Sequence, residues 1–282
     1  MSVHSICEDR SGRLLVMAAA LLWSTGGLAI KLVPLAGLGV VFWRSAVTFL
    51  FLAVVLRPSL ARLKTASPAS VVVYALMILS FVSATKMTTA ANAIFLQYTG
   101  PLYVLLLSPV VLKEPFRKAD AVAIVAALSG MSLFFVGRLE PGALAGNLMA
   151  VASGVFFGGV VLLLRRGAGG DALPSMVLGN LLAALVALPF AWGGLALDGK
   201  GLLLVTYLGV VQMGVAYLLF VRGLTVVPAA EASLLGMLEP LFNPVWAFVG
   251  IGERPSPWAL AGGAVVLLSV AARTLWASRA AR

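Results

Sequence analysis

The sequence predicts an all-α integral membrane protein in which ten transmembrane helices form two inverted five-helix repeats. Three observations predict this fold class. Of the 282 residues, 61% are hydrophobic and only 11% are charged, whereas about a quarter of the residues of a soluble domain are charged. Apolar runs long enough to cross a bilayer recur along the whole chain. A segment of the first half also matches a segment of the second half.

Each transmembrane helix is assigned from an apolar run of about 20 residues, the length that spans the hydrocarbon core of a bilayer. Short connections rich in proline, glycine and charged residues separate the runs. A cleavable signal peptide is the alternative for the first run, but no small-residue cleavage site follows it, so the run is kept as a helix. The ten helices lie at residues 14–33, 37–56, 68–85, 90–110, 120–137, 145–164, 172–192, 201–220, 228–250 and 257–275.

An internal duplication relates the two halves of the chain. When the sequence is shifted by 139 residues, residues 90–114 align with residues 229–253 without a gap, and eight of the 25 positions are identical. A composition this rich in alanine, leucine and valine would give roughly two identities by chance. The first helices align too, with Trp23–Gly27 on Val155–Gly159.

The duplication divides the chain into a first repeat at residues 14–137 and a second at residues 145–275, each with five helices. Because five crossings are an odd number, the second repeat enters the membrane upside down relative to the first. Inverted repeats of this kind are typical of secondary transporters, whose halves rock against each other around a central site.

The basic residues predict the orientation. With both termini in the cytoplasm, the inner side holds 14 of the 20 lysines and arginines, as the positive-inside rule requires. A net charge of +10 would suggest a nucleic-acid partner for a soluble protein. Here the basic residues lie in short loops between apolar runs, so we expect contact with lipid headgroups and no nucleic-acid partner. The expected location is the bacterial inner membrane.

Helices four and nine are the interrupted pair, because each carries two prolines. A proline removes a backbone donor and leaves a carbonyl free one turn earlier, and free carbonyls near a helix break can bind a zwitterion. The alternative is that the prolines are packing kinks, which membrane helices tolerate. The predicted helix breaks are Pro101, Pro109, Pro240 and Pro244.

Two charged residues inside the predicted spans are candidates for function. Glu239 either faces a cavity, where it binds an ammonium group or carries a proton, or makes a helix-to-helix hydrogen bond that fixes the kink. Arg44 either binds a substrate carboxylate or extends its side chain to the outer surface. The repeats end on Glu114, expected at the cytoplasmic end of helix four, and Glu253, expected at the outer end of helix nine.

A mostly apolar cavity with a few hydrogen-bonding groups is the usual composition of a small-molecule pocket. Helices one to four, eight and nine carry residues of this kind, several of them at helical spacing. The predicted cavity residues are Trp23, Arg44, Tyr74, Ile78, Phe81, Asn92, Gln97, Tyr98, Tyr103, Gln212, Tyr217, Glu239, Phe242, Asn243 and Trp246.

No residue pattern resembles an enzyme or a metal site. The chain has one histidine, His4, and one cysteine, Cys7, so neither a cysteine metal cluster nor an intramolecular disulfide is available. A glycine-rich phosphate loop and a Ser/His/Asp set are also missing. We therefore expect no catalysis, no metal and no cofactor.

Several of these motifs resemble a known family. They are the Trp23–Gly26 start, Arg44, the run from Lys86 to Pro101, Glu114, the Leu238–Pro240 signature and Glu253. Together they resemble the EamA-type transporters of the drug/metabolite transporter superfamily, and among these the bacterial exporters of aromatic amino acids. The resemblance implies a ten-helix basket with alternating access and a central cavity, lined notably by helices three, four, eight and nine.

The expected function is that of a secondary transporter that exports amino acids, aromatic and large neutral ones, across the bacterial inner membrane. A proton-coupled multidrug or metabolite exporter that uses Glu239 is the second hypothesis. A membrane scaffold or lipid-handling protein is the hypothesis from a different class. The exact substrate, the direction of net flux, the coupling ion and the oligomeric state stay open.

Overall fold

A computed structural model describes residues 3–133, 144–168, 170–251 and 257–280. Fourteen α-helices account for most of this part of the chain, joined by short turns. The helices are α1 Val3–Trp23, α2 Gly26–Leu32, α3 Gly37–Val55, α4 Pro68–Met87, α5 Ala90–Gln97, α6 Gly100–Val111, α7 Lys118–Leu133, α8 Leu144–Arg166, α9 Ala172–Ala191, α10 Gly199–Tyr207, α11 Ala216–Leu224, α12 Ala229–Gly236, α13 Leu238–Ile251 and α14 Pro257–Ala280.

Seven stretches of the described residues are long and apolar enough to cross a membrane, and they match seven of the ten predicted helices in order. The other three predicted helices correspond to α7, to α12 with α13, and to α14, which contains the shorter apolar helix Leu260–Trp276. The seven stretches are Arg10–Leu32, Gly37–Val55, Pro68–Met87, Asn92–Val111, Leu144–Arg166, Ala172–Gly194 and Gly199–Leu224. The predicted fold class, an all-helical membrane protein, is therefore confirmed.

Three of the predicted helices consist of two shorter ones. The fourth breaks at Tyr98–Thr99 and the ninth at Met237, just before the turns that contain Pro101 and Pro240. Proline fits the first turn of a helix because its missing N–H group has no partner to lose there. Pro109 and Pro244 lie inside α6 and α13, which continue past them.

The first predicted helix differs from the structure at both ends. Its helix begins at Val3 rather than at residue 14 and breaks at Ser24–Thr25, so that α2 starts at Gly26. A side chain at Gly26 has no room, since a Cβ there would lie 2.4 Å from Gln212 Nε2. The helix continues through the polar residues before 14 because Arg13 is buried against protein instead of facing the headgroups.

A π-helical segment, Leu208–Val215, joins α10 to α11 into one continuous membrane helix. Such wider turns carry a surplus residue and occur frequently at functional sites. Gln212 and Met213 follow each other within this segment and are both buried. The helix therefore changes its local geometry at the depth where it faces α3.

Helices of the first half pack on helices of the second. The main contacts pair α4 with α8 and α9, α3 with α9, α7 with α14, and α1 with α11. The break between α5 and α6 lies against two glycines of α8: a Cβ at Gly154 would lie 2.8 Å from Leu96 O, and one at Gly158 would lie 2.9 Å from Gly100 O. Only glycine permits so close an approach of two backbones.

The outer surface of this bundle is apolar. Val110, Phe190 and Trp192 each expose more than 70% of their area, which suits contact with lipid tails and not with water. The largest fully buried side chains include two tyrosines, Tyr74 and Tyr98. The interior thus carries polar groups from several helices.

Candidate functional site

Six buried aromatic side chains from five membrane helices meet in the interior. The ring centroids of Trp23 lie 4.8 Å from Tyr217 and 4.9 Å from Phe220. Tyr217 in turn lies 5.3 Å from Tyr74. These separations are typical of stabilising aromatic pairs. We call this group the aromatic cluster; its members are Trp23, Tyr74, Tyr98, Phe157, Tyr217 and Phe220.

Four of the predicted cavity residues, Trp23, Tyr74, Tyr98 and Tyr217, belong to the aromatic cluster. Phe157 was not among the predicted residues; its ring lies 5.8 Å from Tyr98 and 6.5 Å from Trp23. The signal that could have found it is the duplication, because Phe157 lies in the segment that repeats the Trp23 motif. The repeats therefore place aromatic residues from both halves in one cluster.

Arg44 is buried beside the aromatic cluster, with 4% of its area exposed. Its Nη2 donates to Gln212 Oε1 at 3.0 Å and also contacts Met213 Sδ. Gln212 donates from Nε2 to the carbonyl oxygen of Trp23 at 3.2 Å. Nε and Nη1 of Arg44 have no hydrogen-bond partner among the described residues. The hydrogen-bond partners of the guanidinium among the described residues are therefore neutral.

Glu239 lies in the first turn of α13 with 7% of its area exposed. Its Oε2 lies 2.7 Å from the hydroxyl of Tyr98, which also lies 2.7 Å from the carbonyl oxygen of Gly236. Tyrosine has one hydroxyl hydrogen, so it donates to only one of these two acceptors. Both contacts are hydrogen bonds when the Glu239 carboxyl carries a proton and donates to Tyr98, while Tyr98 donates to Gly236.

The remaining predicted residues divide into two groups. Ile78, Phe81, Asn92 and Gln97 are buried. Asn92 bonds to the two threonines just before α5, as Nδ2 donates to Thr88 Oγ1 at 3.3 Å and the backbone N–H to Thr89 Oγ1 at 3.0 Å. This geometry is that of a helix cap. Asn92 therefore supports the start of α5.

The second group is half-buried or lies outside the described part. Tyr103 packs its Cβ near Gly158, and Phe242 and Trp246 are half-buried. Trp246 donates from Nε1 to Ser24 Oγ at 2.7 Å, which joins α13 to the break between α1 and α2. Glu253 lies outside the described residues, as do the side chains of Asn243 and Pro244.

Asn180, on α9, is a site residue that the sequence analysis misses. It is fully buried, and its Nδ2 donates to the hydroxyl oxygen of Tyr74 at 3.2 Å and to the carbonyl oxygen of Met176 at 2.9 Å. Because the Met176 carbonyl only accepts, these bonds fix which side of the amide is nitrogen. A lone amide within a long apolar run is the signal that could have found it.

Paired charges from both halves meet at one end of the molecule. Arg13 Nε donates to Glu231 Oε1 at 2.6 Å. Arg273 Nε donates to Asp120 Oδ1, and its Nη2 lies 4.0 Å from Glu231 Oε2. We call these four residues the ion-pair network. Arg273, Asp120 and Glu231 each expose 5% or less of their side chains, so these ion pairs are shielded from solvent.

Glu114 lies at the same end and joins the halves as well. Its Oε1 accepts from Arg165 Nε at 2.8 Å, and its Oε2 accepts from the backbone N–H of Ala229 at 3.0 Å, at the start of α12. Arg165 Nη1 donates to the carbonyl oxygens of Leu224 and Thr225. A narrow cleft lies beside these residues, lined by Leu105, Ser108, Glu114, Pro115, Phe116, Arg117, Asp120, Arg165, Pro228 and Ala230.

The described part of the chain brings no three His, Cys, Asp or Glu side chains together in a way that could hold a metal ion. The carboxylates of the ion-pair network face arginines, and Glu239 faces a tyrosine. The aromatic cluster offers rings, hydrogen-bonding groups, the guanidinium of Arg44 and the carboxyl of Glu239 for binding.

Comparison with known proteins gives matches along both halves. The model of the EamA-like transporter family matches residues 10–136 and residues 144–274. The uncharacterized transporter YwfM of Bacillus subtilis (strain 168) is 30% identical over 201 residues, which cover 67% of this chain and 66% of YwfM. An uncharacterized transporter of Archaeoglobus fulgidus is 29% identical over 201 residues, covering 69% of this chain and 71% of that protein.

A solved crystal structure has the same fold. It superposes with a TM-score of 0.81 over 95% of this chain and 98% of its own, at 20% sequence identity. At this identity the likeness shows the fold alone. The aligned segment spans just under two thirds of the length of YwfM, at 66%.

Proposed function

Because this chain belongs to the EamA-like transporter family, a family of multi-pass membrane proteins that move small molecules, we propose that it exports amino acids. The preferred substrates are aromatic and large neutral ones, as in bacterial exporters of aromatic amino acids. The protein lies in the bacterial inner membrane with both termini in the cytoplasm and works by alternating access. The repeats at residues 14–137 and 145–275 are the two halves that rock.

The observation that carries this proposal is the aromatic cluster with two charged residues beside it. Six buried rings offer a surface for a large apolar side chain. Arg44 and Glu239 are both buried and lie close enough to influence each other electrostatically. A site with one group of each sign suits a zwitterion better than it suits an apolar drug.

The contacts between the halves support alternating access. Arg13 with Glu231, Arg273 with Asp120 and Arg165 with Glu114 each pair a residue of one half with a residue of the other. All three pairs lie at one end of the molecule, which the positive-inside rule assigns to the cytoplasm. Release of these pairs would separate the halves at that end and admit substrate from the cytoplasm.

Counterflow into proteoliposomes tests the proposal. Vesicles with the purified protein are preloaded with a mixture of unlabelled amino acids, and the entry of labelled phenylalanine and, separately, of a cationic dye is followed. We expect phenylalanine to enter faster than into protein-free vesicles and the dye to stay outside. Phenylalanine entry equal to that of protein-free vesicles would remove the amino-acid proposal.

One observation favours a second candidate, a proton-coupled multidrug or metabolite exporter. The Tyr98 hydroxyl faces two acceptors with a single hydrogen, so a proton on Glu239 changes how well this contact is satisfied. A drug exporter of this kind would take up dye in response to a pH gradient and lose this response in Glu239→Gln. Dye uptake that neither the gradient nor the substitution changes would exclude it.

A further inference from the structure

Buried polar atoms without a partner are concentrated in one region. Native proteins pair nearly all buried polar groups, so an orphaned atom often marks a missing partner such as a bound molecule. Among the described residues, the buried side-chain atoms without a hydrogen-bond partner are Trp23 Nε1, Arg44 Nε, Arg44 Nη1, Ser45 Oγ and Asn180 Oδ1. These atoms belong to four residues, and two of those, Arg44 and Ser45, are neighbours in sequence.

Direct contacts connect three of these residues, Arg44, Trp23 and Asn180. Gln212 connects Arg44 to Trp23, because its Oε1 accepts from Arg44 and its Nε2 donates to the Trp23 carbonyl. The Trp23 ring packs on Tyr217, and the Tyr217 ring packs on Tyr74. The Tyr74 hydroxyl then accepts from Asn180. These three residues with orphaned atoms are thus linked through rings of the aromatic cluster.

The donors among them favour an anion. Arg44 is always charged, and among the described residues no carboxylate is hydrogen-bonded to its guanidinium. Its hydrogen-bond partners in the described structure, Gln212 and Met213, are both neutral. Two of its nitrogens are still available, and the indole N–H of Trp23 is a further donor. A carboxylate has acceptor sites for several such donors at once.

The orphaned acceptor has the opposite preference. Asn180 Oδ1 accepts a hydrogen bond and cannot donate one, because bonds to Met176 and Tyr74 fix the amide nitrogen on the other side. An ammonium group is a donor without an acceptor. In an α-amino acid the carboxylate and the ammonium are bonded to the same carbon, so one ligand can satisfy both kinds of orphaned atom.

We propose that Arg44 and Trp23 bind the carboxylate of the transported amino acid and that Asn180 accepts a hydrogen bond from its ammonium group. This inference rests on the proposed function and makes it more specific. The substrate must carry a free carboxylate, and its side chain lies against the rings of Tyr74 and Tyr217. An amine of the same shape without a carboxylate is not a substrate.

Ligand-induced thermal stabilisation of the purified full-length protein tests this subsite. The three probes are L-phenylalanine, 3-phenylpropionate, which lacks the ammonium group, and phenethylamine, which lacks the carboxylate. A ligand that binds the folded state raises the midpoint of unfolding in proportion to its affinity. We expect phenylalanine to stabilise most, 3-phenylpropionate less, and phenethylamine not at all.

Arg44→Gln is the decisive variant, and Arg57→Gln is its matched control because Arg57 is an exposed arginine just after α3. Arg44→Gln removes a buried charge that no described carboxylate hydrogen-bonds, so the ligand-free midpoint is expected to stay or to rise. Its apparent affinity for both carboxylates falls by roughly 10- to 100-fold, the value of charge-assisted hydrogen bonds. Arg57→Gln keeps the wild-type response. A structural arginine would instead give a lower midpoint in Arg44→Gln and an unchanged response to ligand.

Asn180→Ala tests binding of the ammonium group separately from binding of the carboxylate. It is expected to weaken binding of phenylalanine and to leave binding of 3-phenylpropionate unchanged, because that probe has no ammonium group to lose a partner. Equal weakening of both probes would contradict the role of Asn180. The subsite would be overturned if phenethylamine stabilised the protein as much as phenylalanine does. It would also be overturned if phenylalanine and 3-phenylpropionate stabilised Arg44→Gln as much as the wild type.

Counterflow distinguishes failure of the subsite from failure of the proposed function. If phenylalanine is transported by the wild type and equally well by Arg44→Gln, the subsite is wrong and the amino-acid proposal stands. If the wild type neither transports phenylalanine nor is stabilised by it, the subsite and the amino-acid proposal are both wrong.

Discussion

Buried charges in this protein differ in whether a partner of opposite sign is present. Glu231 contacts two arginines, Arg13 and Arg273, whereas Arg44 contacts neutral groups. A buried charge with partners supports the folded state only as long as every partner remains. A buried charge that lacks one is tolerated where a ligand supplies it. The two arrangements therefore lead to opposite predictions for stability.

Replacement of Glu231 by glutamine should destabilise the fold. It leaves Arg13 and Arg273 buried without the carboxylate that they share, and the loss of one member of a buried ion pair costs about 3–5 kcal/mol. Thermal unfolding of the purified protein in detergent would show a lower midpoint. Arg62→Gln, at an exposed arginine, is the control and should unfold within about 0.5 kcal/mol of the wild type. Equal midpoints for the two variants would mean that the network does not stabilise the fold.

Tyr98→Phe tests the contact between Tyr98 and Glu239 at the same scale. The substitution removes the hydroxyl that lies 2.7 Å from Oε2 of Glu239, so a buried carboxyl loses a partner at a cost of about 1–3 kcal/mol. In the second candidate function it should also change the pH dependence of transport, which Tyr207→Phe, with its hydroxyl 2.8 Å from Thr25 Oγ1, should not do. Initial transport rates over a pH series would report this difference.

The sequence could identify single candidates but not their partners. Arg44, Tyr74 and Gln212 stand out because they are polar or aromatic within apolar runs. Asn180 and Glu231 meet their partners only because α9 packs beside α4 and α12 lies beside α1. Such contacts depend on helix packing between residues more than one hundred positions apart, as with Arg13 and Glu231. No local pattern contains that information.

At the scale of the helices, bilayer thickness made the spans predictable. Helix two is predicted at 37–56 and found at Gly37–Val55, and helix three is predicted at 68–85 and found at Pro68–Met87. Of the four predicted breaks, Pro101 and Pro240 lie just after interruptions of the fourth and ninth helices, whereas α6 and α13 continue past Pro109 and Pro244. The break before Gly26 was not predicted, and no proline marks it in the sequence. The surplus residue of the π-helical segment has no known local signal either.

Gly154→Ala should destabilise the contact between α8 and the break that separates α5 from α6. The added Cβ would lie 2.8 Å from Leu96 O and 2.9 Å from Gln97 O, and backbone atoms cannot move aside as a flexible side chain can. We expect a loss of about 1–3 kcal/mol from overpacking, although alanine favours the helix by about 1 kcal/mol. The unfolding midpoint measures this effect.

Gly193→Ala is the control for that substitution, because nothing lies within 4 Å of a Cβ at Gly193. It should leave the midpoint near that of the wild type. A Gly154→Ala protein as stable as Gly193→Ala would show that the two backbones can separate without cost.

At the scale of the whole molecule, the two ends are held together differently. At one end, ion pairs connect the first half to the second through Arg13, Asp120 and Glu114. At the end that carries the turn after α2, Lys31 donates to the Thr88 carbonyl and Lys86 to the Val33 carbonyl, both within the first half. Opening the first end thus requires charge pairs to exchange partners.

Glu114→Gln should therefore open the cleft beside α6 more often. The substitution weakens the contact with Arg165, and transient opening should expose Ser108, which lines the cleft and is buried. A cysteine at position 108, in a chain whose single native cysteine is replaced by serine, would react faster with a hydrophilic maleimide. A cysteine at the exposed position 64 should react at the same rate with and without Glu114→Gln. An unchanged rate at position 108 would argue against this role of Glu114.

The π-helical segment Leu208–Val215 has an evolutionary consequence. Elsewhere in a membrane helix, the insertion or deletion of one residue turns everything beyond it by about 100° and disrupts every later contact. A wider turn can take up or release one residue locally. Gln212 and Met213, which contact Arg44, lie inside this turn, while Tyr217 and Phe220 lie beyond it. A one-residue deletion in this segment could therefore change how Gln212 and Met213 contact Arg44 in descendants of this chain. Tyr217 and Phe220 would keep their places in the aromatic cluster.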